Sequence, residues 1–319
     1  MGPALTYCAK TEQEGWAVAA VAPPFPWLGG KARAAARLVS LLPPHRIYVE
    51  VFGGSAAVLL AKPPSPVEVY NDIDSGLVNF FRVLRDPERF ERFRRLVELT
   101  PYSREEWEFC RATWESCSDD VERAWRWYVV ARMSFGGVFG ASWGHTLLSS
   151  SRGMAEAVSR WLSGVEGLPE VAVRLLRVQV ENRDFRELFP LYDTPDTLWF
   201  CDPPYVPETR RDGEYRHEMA LADHEDLVRL LLGIRGSAVL CGYRHEVYRP
   251  LEEAGWVRYD WPAVCSVVGR TRLTGLLGDG SASAAQPRVE SVWVGPPGRA
   301  AQLVWPELLA SVEEYASSA

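Results

Sequence analysis

The sequence predicts an α/β protein built on a parallel sheet and interrupted by an all-helical insert. Three observations carry this. Residues 46–86 run strand, glycine turn, helix, strand, helix; from about 76 to 135 the apolar residues recur at helical spacing only; and strand-like runs return from 175 onward.

The elements follow in order. "RIYVEVFGGSAAVLLA" (46–61) reads as a strand, a glycine turn and a helix, and "VEVYNDID" (67–74) as a second strand ending in acids. "SGLVNFFRVLRD" (75–86) has helical spacing, with Ser75 or Asp74 placed to cap it. "PERFERFRRLVEL", "SREEWEFCRATWES" and "DVERAWRWYVVARMSF" continue as helices, and a glycine- and serine-rich stretch follows at 136–153. "LLRVQVEN" (175–182), "DTLWFCDPPY" (196–205), "GSAVLCGY" (236–243), "WVRYDWPAV" (256–264) and "RVESVWVG" (288–295) read as strands, with a helix at 222–234. The segment 277–287, rich in turn residues, is expected to be a mobile loop. The α/β part therefore takes 1–75 and 170–319, and the insert 76–169.

Composition narrows the classes. The chain has 319 residues, 47% hydrophobic and 12% aromatic, enough for a sizeable core and unlike a disordered chain. A net charge of -7 argues against binding polyanions by bulk charge, though not against a local basic face. The insert carries 13 basic and 13 acidic residues, so the negative excess lies on the α/β part. Lysine occurs only at positions 10, 31 and 62. Cys8, Cys110, Cys117, Cys201, Cys241 and Cys265 form no CxxC and no cluster with histidine, so neither a metal site nor a disulfide framework is expected. No apolar run is long enough to span a membrane, and no signal peptide is recognisable; a soluble cytoplasmic protein is expected.

Three stretches carry chemistry. In "EVFGGSAA" (50–57), Gly53 and Gly54 let the backbone turn sharply and approach a ligand, although a plain strand–helix turn reads the same way. The second strand ends at Asn71-Asp72; with Asp74 suited to capping, Asp72 is left for a ribose hydroxyl. In "FPWLGGKARAAARLVSLLP" (25–43), Lys31 stands at a helix start, where a cation opposes the dipole; a ligand carboxylate held there, or merely an exposed lysine, would explain it. Third, Asp202-Pro203-Pro204-Tyr205 ends an apolar strand, putting an acid and a ring on a stiff backbone at the strand's tip. A rigid turn is the alternative.

The succession "WLGGK", "EVFGGSAA", "NDID", helical insert, "DPPY" and "ESVWV" resembles the Dam-like (D12 class, alpha group) S-adenosylmethionine-dependent DNA adenine-N6 methyltransferases, phage-type members in particular. The resemblance runs from about 23 to 296. It implies a Rossmann-like methyltransferase fold, a mixed seven-stranded sheet with a terminal antiparallel hairpin and an inserted target-recognition domain. It further implies that Trp27, Lys31, Glu50, Phe52, Gly53, Gly54, Asp72 and Asp202 contact S-adenosylmethionine, with Asp184 and Phe185 of "NRDF" near its adenine. Two departures stand out: the family's proline is Val51 here, and its last glycine is Ala56. A family asparagine near the end of the last insert helix is replaced within "RMSFGGVFG".

On this reading the catalytic residues are Asp202, Pro203 and Tyr205. The carboxylate and the Pro203 carbonyl each accept an N–H of the adenine amine, and Tyr205 stacks on a base flipped out of duplex DNA. Trp143, His145 and Arg152 of the 136–153 stretch, with Arg210 and Arg211, are candidate DNA contacts; a solvated or self-paired loop explains each as well. Arg216 belongs with them, alternating with Glu208, Asp212 and Glu214. Trp107, Trp114, Trp125 and Trp127 have core spacing. Expected partners are double-stranded DNA and a cognate restriction endonuclease, with no metal. The alternatives are the same chemistry on RNA adenine or cytosine N4, a non-catalytic DNA-binding regulator, and a nucleotide-binding oxidoreductase.

Overall fold

The computed structural model describes residues 20–209, 215–264 and 287–295. Arg210, Arg211, Cys8, Cys265 and nearly all of the loop expected at 277–287 lie outside them.

Helix α1 (Ala35–Ser40) precedes β1 (Ile47–Glu50), α2 (Ala57–Ala61) and β2 (Val67–Asn71). Four helices follow: α3 (Ser75–Arg85), α4 (Pro87–Leu99), α5 (Arg104–Thr113) and α6 (Asp120–Met133). Each starts on a side chain that accepts orphan backbone N–H groups, namely Asp74, Asp86, Ser103 and Asp119. A small hairpin, β3 (Ser150–Ser151) and β4 (Met154–Ala155), leads into α7 (Glu156–Glu166) and α8 (Leu168–Leu175). The chain returns to the sheet through β5 (Val178–Glu181), α9 (Phe185–Tyr192), β6 (Thr197–Cys201), α10 (Leu221–Leu232) and β7 (Ser237–Tyr243). Helix α11 (Arg249–Glu253) and strands β8 (Val257–Val264) and β9 (Pro287–Val294) follow.

The seven strands lie in the order β5-β2-β1-β6-β7-β9-β8. The first five are parallel, and β9 runs antiparallel to both β7 and β8. This is the mixed Rossmann-like sheet with a terminal hairpin that the resemblance implied. Successive strand residues point to opposite faces, and both faces are covered. Tyr48, Tyr70, Phe200 and Val292 join a core with α1 to α8, whereas Val49, Val69, Trp199 and Trp293 pack against α9 to α11. The helical segment thus has no core apart from the sheet's: Phe80, Phe81 and Trp127 share one cluster with Tyr48 and Tyr70. The expectation for the tryptophans holds for Trp107, Trp114 and Trp127, which are buried, and Trp125 is half-buried with its indole N–H on the Thr100 hydroxyl at 2.8 Å.

Strand order reverses at β1. The chain builds outward to β2 and β5, then returns to place β6 on β1's other side. The crevice beyond the carboxyl ends of β1 and β6 is therefore the topological switch point, where open α/β sheets bind ligands.

Candidate active site

A cavity open to solvent occupies that crevice, the kind of concave switch-point recess in which small molecules bind. Of the expected cofactor residues, Trp27, Lys31, Glu50, Phe52, Gly53, Gly54, Asp72 and Asp202 all line it, with Pro203 and Pro204 beside them. Sequence positions from 27 to 204 meet here because β1, β2 and β6 end side by side.

The glycine turn is built tightly. A Cβ on Gly53 would stand 2.1 Å from the Tyr70 ring, whose hydroxyl donates to the Gly54 carbonyl at 2.7 Å. Gly54 has φ 48°, and the Trp27 indole lies against it. Ala56, where the family has glycine, keeps the left-handed conformation at φ 56° with its methyl fully buried. Val51, where the family has proline, uses its N–H to extend the β1–β6 ladder onto the Phe200 carbonyl at 3.0 Å. Both departures leave the turn in place.

Asp74 caps α3 as expected. Asp72 already has partners: Oδ2 accepts the Gly54 N–H and Oδ1 the Asp74 N–H, both at 2.9 Å. Each oxygen retains a second acceptor site. Burial pushes Asp72 up to about 6, against the pull of the amides of Asp74 and Gly54. Glu50 accepts from the Tyr48 hydroxyl at 2.8 Å and the Leu59 N–H at 2.9 Å, both on Oε2. Burial outweighs those bonds and raises Glu50 to about 8.

Lys31 differs from its expected placement. Helix α1 begins at Ala35, so Lys31 is not in its first turn and no dipole mismatch arises. Its Nζ lies 2.8 Å from Asp202 Oδ1 and 3.3 Å from Glu290 Oε1, and donates to the Gly29 carbonyl at 2.7 Å. Burial opposes its charge, but the two carboxylates outweigh burial and hold its pKa above the ordinary lysine value. The Lys31–Asp202 contact is close but poorly directed, and Oδ1 makes no hydrogen bond among the described residues. Burial is also the main cause that lifts Asp202 to about 6; Lys31 pulls it down and Glu290 pushes it up.

Tyr205 stands back from the cavity. Its ring is 6% exposed, packs edge-on against Tyr243 at 4.7 Å with Lys31 Nζ 5.0 Å from its centroid, and donates its hydroxyl to Glu290 at 2.5 Å. It does not line the cavity; Pro204 does. In this conformation Tyr205 braces the site rather than presenting a face for stacking. Asp184 and Phe185 also stand off. Asp184 caps α9 and pairs with Arg186, and Phe185 is buried against Phe52 with ring centroids 5.5 Å apart.

The DNA candidates are scattered. Trp143 and His145 stack at 5.5 Å, and the Arg104 guanidinium covers Trp143 at 4.6 Å. Arg152 sits in the turn of the β3–β4 hairpin, left-handed at φ 56°, and grips Glu166 with both terminal nitrogens. Arg216 pairs with Asp74 and Glu115 and lies over Trp114 at 4.5 Å; Asp212 and Glu214 lie outside the described residues.

Sequence reasoning missed Glu290 and Asn71. Glu290, an acid set among the valines of β9, was the available signal, and it reaches both Lys31 and Tyr205. Asn71, 1% exposed, fastens the strand ends. Its amide donates to the carbonyls of Val51 and Arg183 and accepts the Arg183 N–H.

The model of the D12 class N6 adenine-specific DNA methyltransferases matches residues 27–235, the span holding the glycine turn, Asp72 and the Asp-Pro-Pro-Tyr motif. The chain belongs to this family. No curated protein sequence matches it. The D12 methyltransferase transfers a methyl group from S-adenosylmethionine to the N6 amine of adenine in DNA. The cavity fits that donor: Glu50, Asp72 and Asp202 are desolvated carboxyls facing it, and Lys31 is already committed to Asp202 and Glu290. Such a pocket favours a ligand carrying sulfonium and ammonium charge. Among the described residues, no helix is long and apolar enough to cross a membrane, and no cluster of histidine, cysteine or acidic side chains is arranged to hold a metal.

Proposed function

We propose that this D12 methyltransferase acts on an adenine extruded from duplex DNA, with Asp202 and Pro203 holding the amine at the mouth of the cavity. The observation that carries this reading is the Asp202 carboxylate, which follows β6, lines the cavity beside Pro203 and is held by Lys31 Nζ at 2.8 Å from Oδ1. S-adenosylmethionine, when bound, supplies the electrophilic methyl on its sulfonium. The adenine amine is a poor nucleophile because its lone pair is delocalised into the ring. Asp202 accepts one N–H and the Pro203 carbonyl the other, which favours a pyramidal nitrogen with its lone pair free for in-line attack. Proline fixes φ at position 203, so the carbonyl is aimed before the base arrives. Lys31 keeps Asp202 ionised and oriented. A base stacked within the duplex cannot reach this recess, which is why extrusion is required.

Glu50, Asp72 and the Gly53–Gly54 backbone bind the donor, with Trp27 closing one wall. The segment 76–169 recognises the duplex, with Trp143, His145 and Arg152 as contacts and Arg210 and Arg211 beside the motif. The stacked, partly exposed Trp143 and His145, with the Arg104 guanidinium over the indole, support this.

Asp202→Ala should abolish methyl transfer while the far-ultraviolet circular dichroism stays that of the parent. Tritium transfer from labelled S-adenosylmethionine to duplex DNA measures it, and near-normal incorporation would refute the mechanism.

A further inference from the structure

A cluster of buried charges lies behind the cavity, on residues the mechanism does not use. Lys62, Glu68 and Arg174 are 4%, 1% and 3% exposed. Glu68 accepts from Lys62 Nζ at 2.7 Å and from the Ser65 N–H at 3.0 Å. Arg174 grips it with both terminal nitrogens, at 2.5 and 2.8 Å. Burying three charges is costly, and an apolar replacement is often no less stable. Stability alone therefore does not account for the cluster.

The sequence of α2 points to a second task. A helical carbonyl accepts the N–H four residues on. For Leu59 and Leu60 those residues are Pro63 and Pro64, which have no N–H to give. Both carbonyls find donors from elsewhere in the chain. Leu60 takes the N–H of Val21 at 3.1 Å, and Leu59 takes Arg174 Nη2 at 2.9 Å. The Leu59 N–H, in turn, is the amide that holds Glu50 Oε2. Glu50 lines the cavity, as do Ala57 and Val58 of α2. A donor from α8 thus secures the short helix on which the cavity wall depends.

We propose that Arg174 is a positioning residue for the S-adenosylmethionine pocket: its guanidinium fork, braced on Glu68, holds the Leu59 carbonyl and so sets α2 and the Glu50 carboxylate. Helix α8 packs on α3 and α7, so the same fork ties the helical layer to donor binding. The inference rests on the reading of the cavity as the donor's site.

Arg174→Lys and Arg174→Met in the full chain test it, with S-adenosylhomocysteine as the probe in titration calorimetry. Lysine keeps a cation against Glu68 but cannot reproduce the planar fork that spans Glu68 and Leu59. The lysine variant should stay folded, its thermal midpoint only modestly lowered by the orphaned Leu59 carbonyl, and keep its affinity for duplex DNA, yet bind the probe about tenfold more weakly, a loss of ~1.4 kcal/mol. In turnover, KM for S-adenosylmethionine should rise while kcat at saturation holds. The methionine variant should show the same loss with a lower midpoint. Wild-type probe affinity in Arg174→Lys would overturn the proposal, because charge balance at Glu68 would then suffice. Parental chain that binds no probe would overturn the reading of the cavity itself, and this inference with it; parental binding with unaltered variants overturns the inference alone.

Discussion

In the proposed mechanism the Asp202 carboxylate must be charged, yet burial opposes the charge. It titrates at about 6, against an ordinary 3.8. The acceptor is the ionised form, so single-turnover methylation should fall as pH drops through about 6. Glu290 contributes to that raised value by repulsion. Glu290→Gln should therefore move the acidic limb of the profile to lower pH; a limb that stays in place would show that Glu290 does not act on Asp202. The same raised values have a consequence for folding. The folded chain holds protons on Asp72 and Asp202 that the unfolded chain has lost between 3.8 and about 6, and on Glu50 between 4.5 and about 8. Stability from these groups is present below the lower value of each window and is lost as pH rises through the upper one. Urea midpoints of the ligand-free enzyme should thus decline from pH 6 to pH 8, where Glu50 ionises, and S-adenosylhomocysteine should recover more stability at pH 8 than at pH 6.

The elements legible in the sequence were those that state their own boundaries. Asp74, Asp86, Ser103 and Asp119 announce four helices, and the glycine turn separates β1 from α2. Helix α9 was not legible because Pro190 interrupts its pattern, and the β3–β4 hairpin spans only four paired residues within a glycine- and serine-rich stretch. Lys31 was misplaced for a related reason: "KARAAAR" (31–37) has helical composition from Lys31 on, but the helix begins only at Ala35. The turn between β1 and α2 allows a contrast. Gly53→Ala would drive a methyl into the Tyr70 ring and should cost on the order of 3 kcal/mol, the upper end of core overpacking. Ala56→Gly relieves a left-handed alanine but gives up a buried methyl, so its stability should stay within about 1 kcal/mol of the parent. Urea denaturation separates the two, and equal losses would contradict the close approach at Gly53.

Over the whole molecule, the site draws on more of the chain than its motifs do. The family match ends at residue 235, yet Glu290 of β9 holds both Lys31 and Tyr205, and Val292 and Trp293 enter the cores on opposite faces of the sheet. Motifs made the cavity legible, since the glycine turn, Asp72 and Asp202 each follow a strand. The brace from β9 was not, because strand pairing between distant segments leaves no local pattern. The helical layer was legible as helices but not as half of the sheet's own core. A chain cut after Tyr243 should keep every motif that lines the cavity and still lose the fold. It strips β9 from β7 and leaves an unpaired strand edge. Aggregation in size-exclusion chromatography is the expected outcome; a soluble, cooperatively melting fragment would show that the hairpin is dispensable.

The position of β9 in the sheet also bears on when the enzyme becomes competent. It pairs with β7, but 43 residues separate the end of one from the start of the other. A ribosome adding about 5–20 residues per second takes several seconds to cover that interval. During it, the nascent polypeptide has Lys31 and Asp202 but lacks the strand that braces them. Translation itself thereby delays activity until the last described strand has been made.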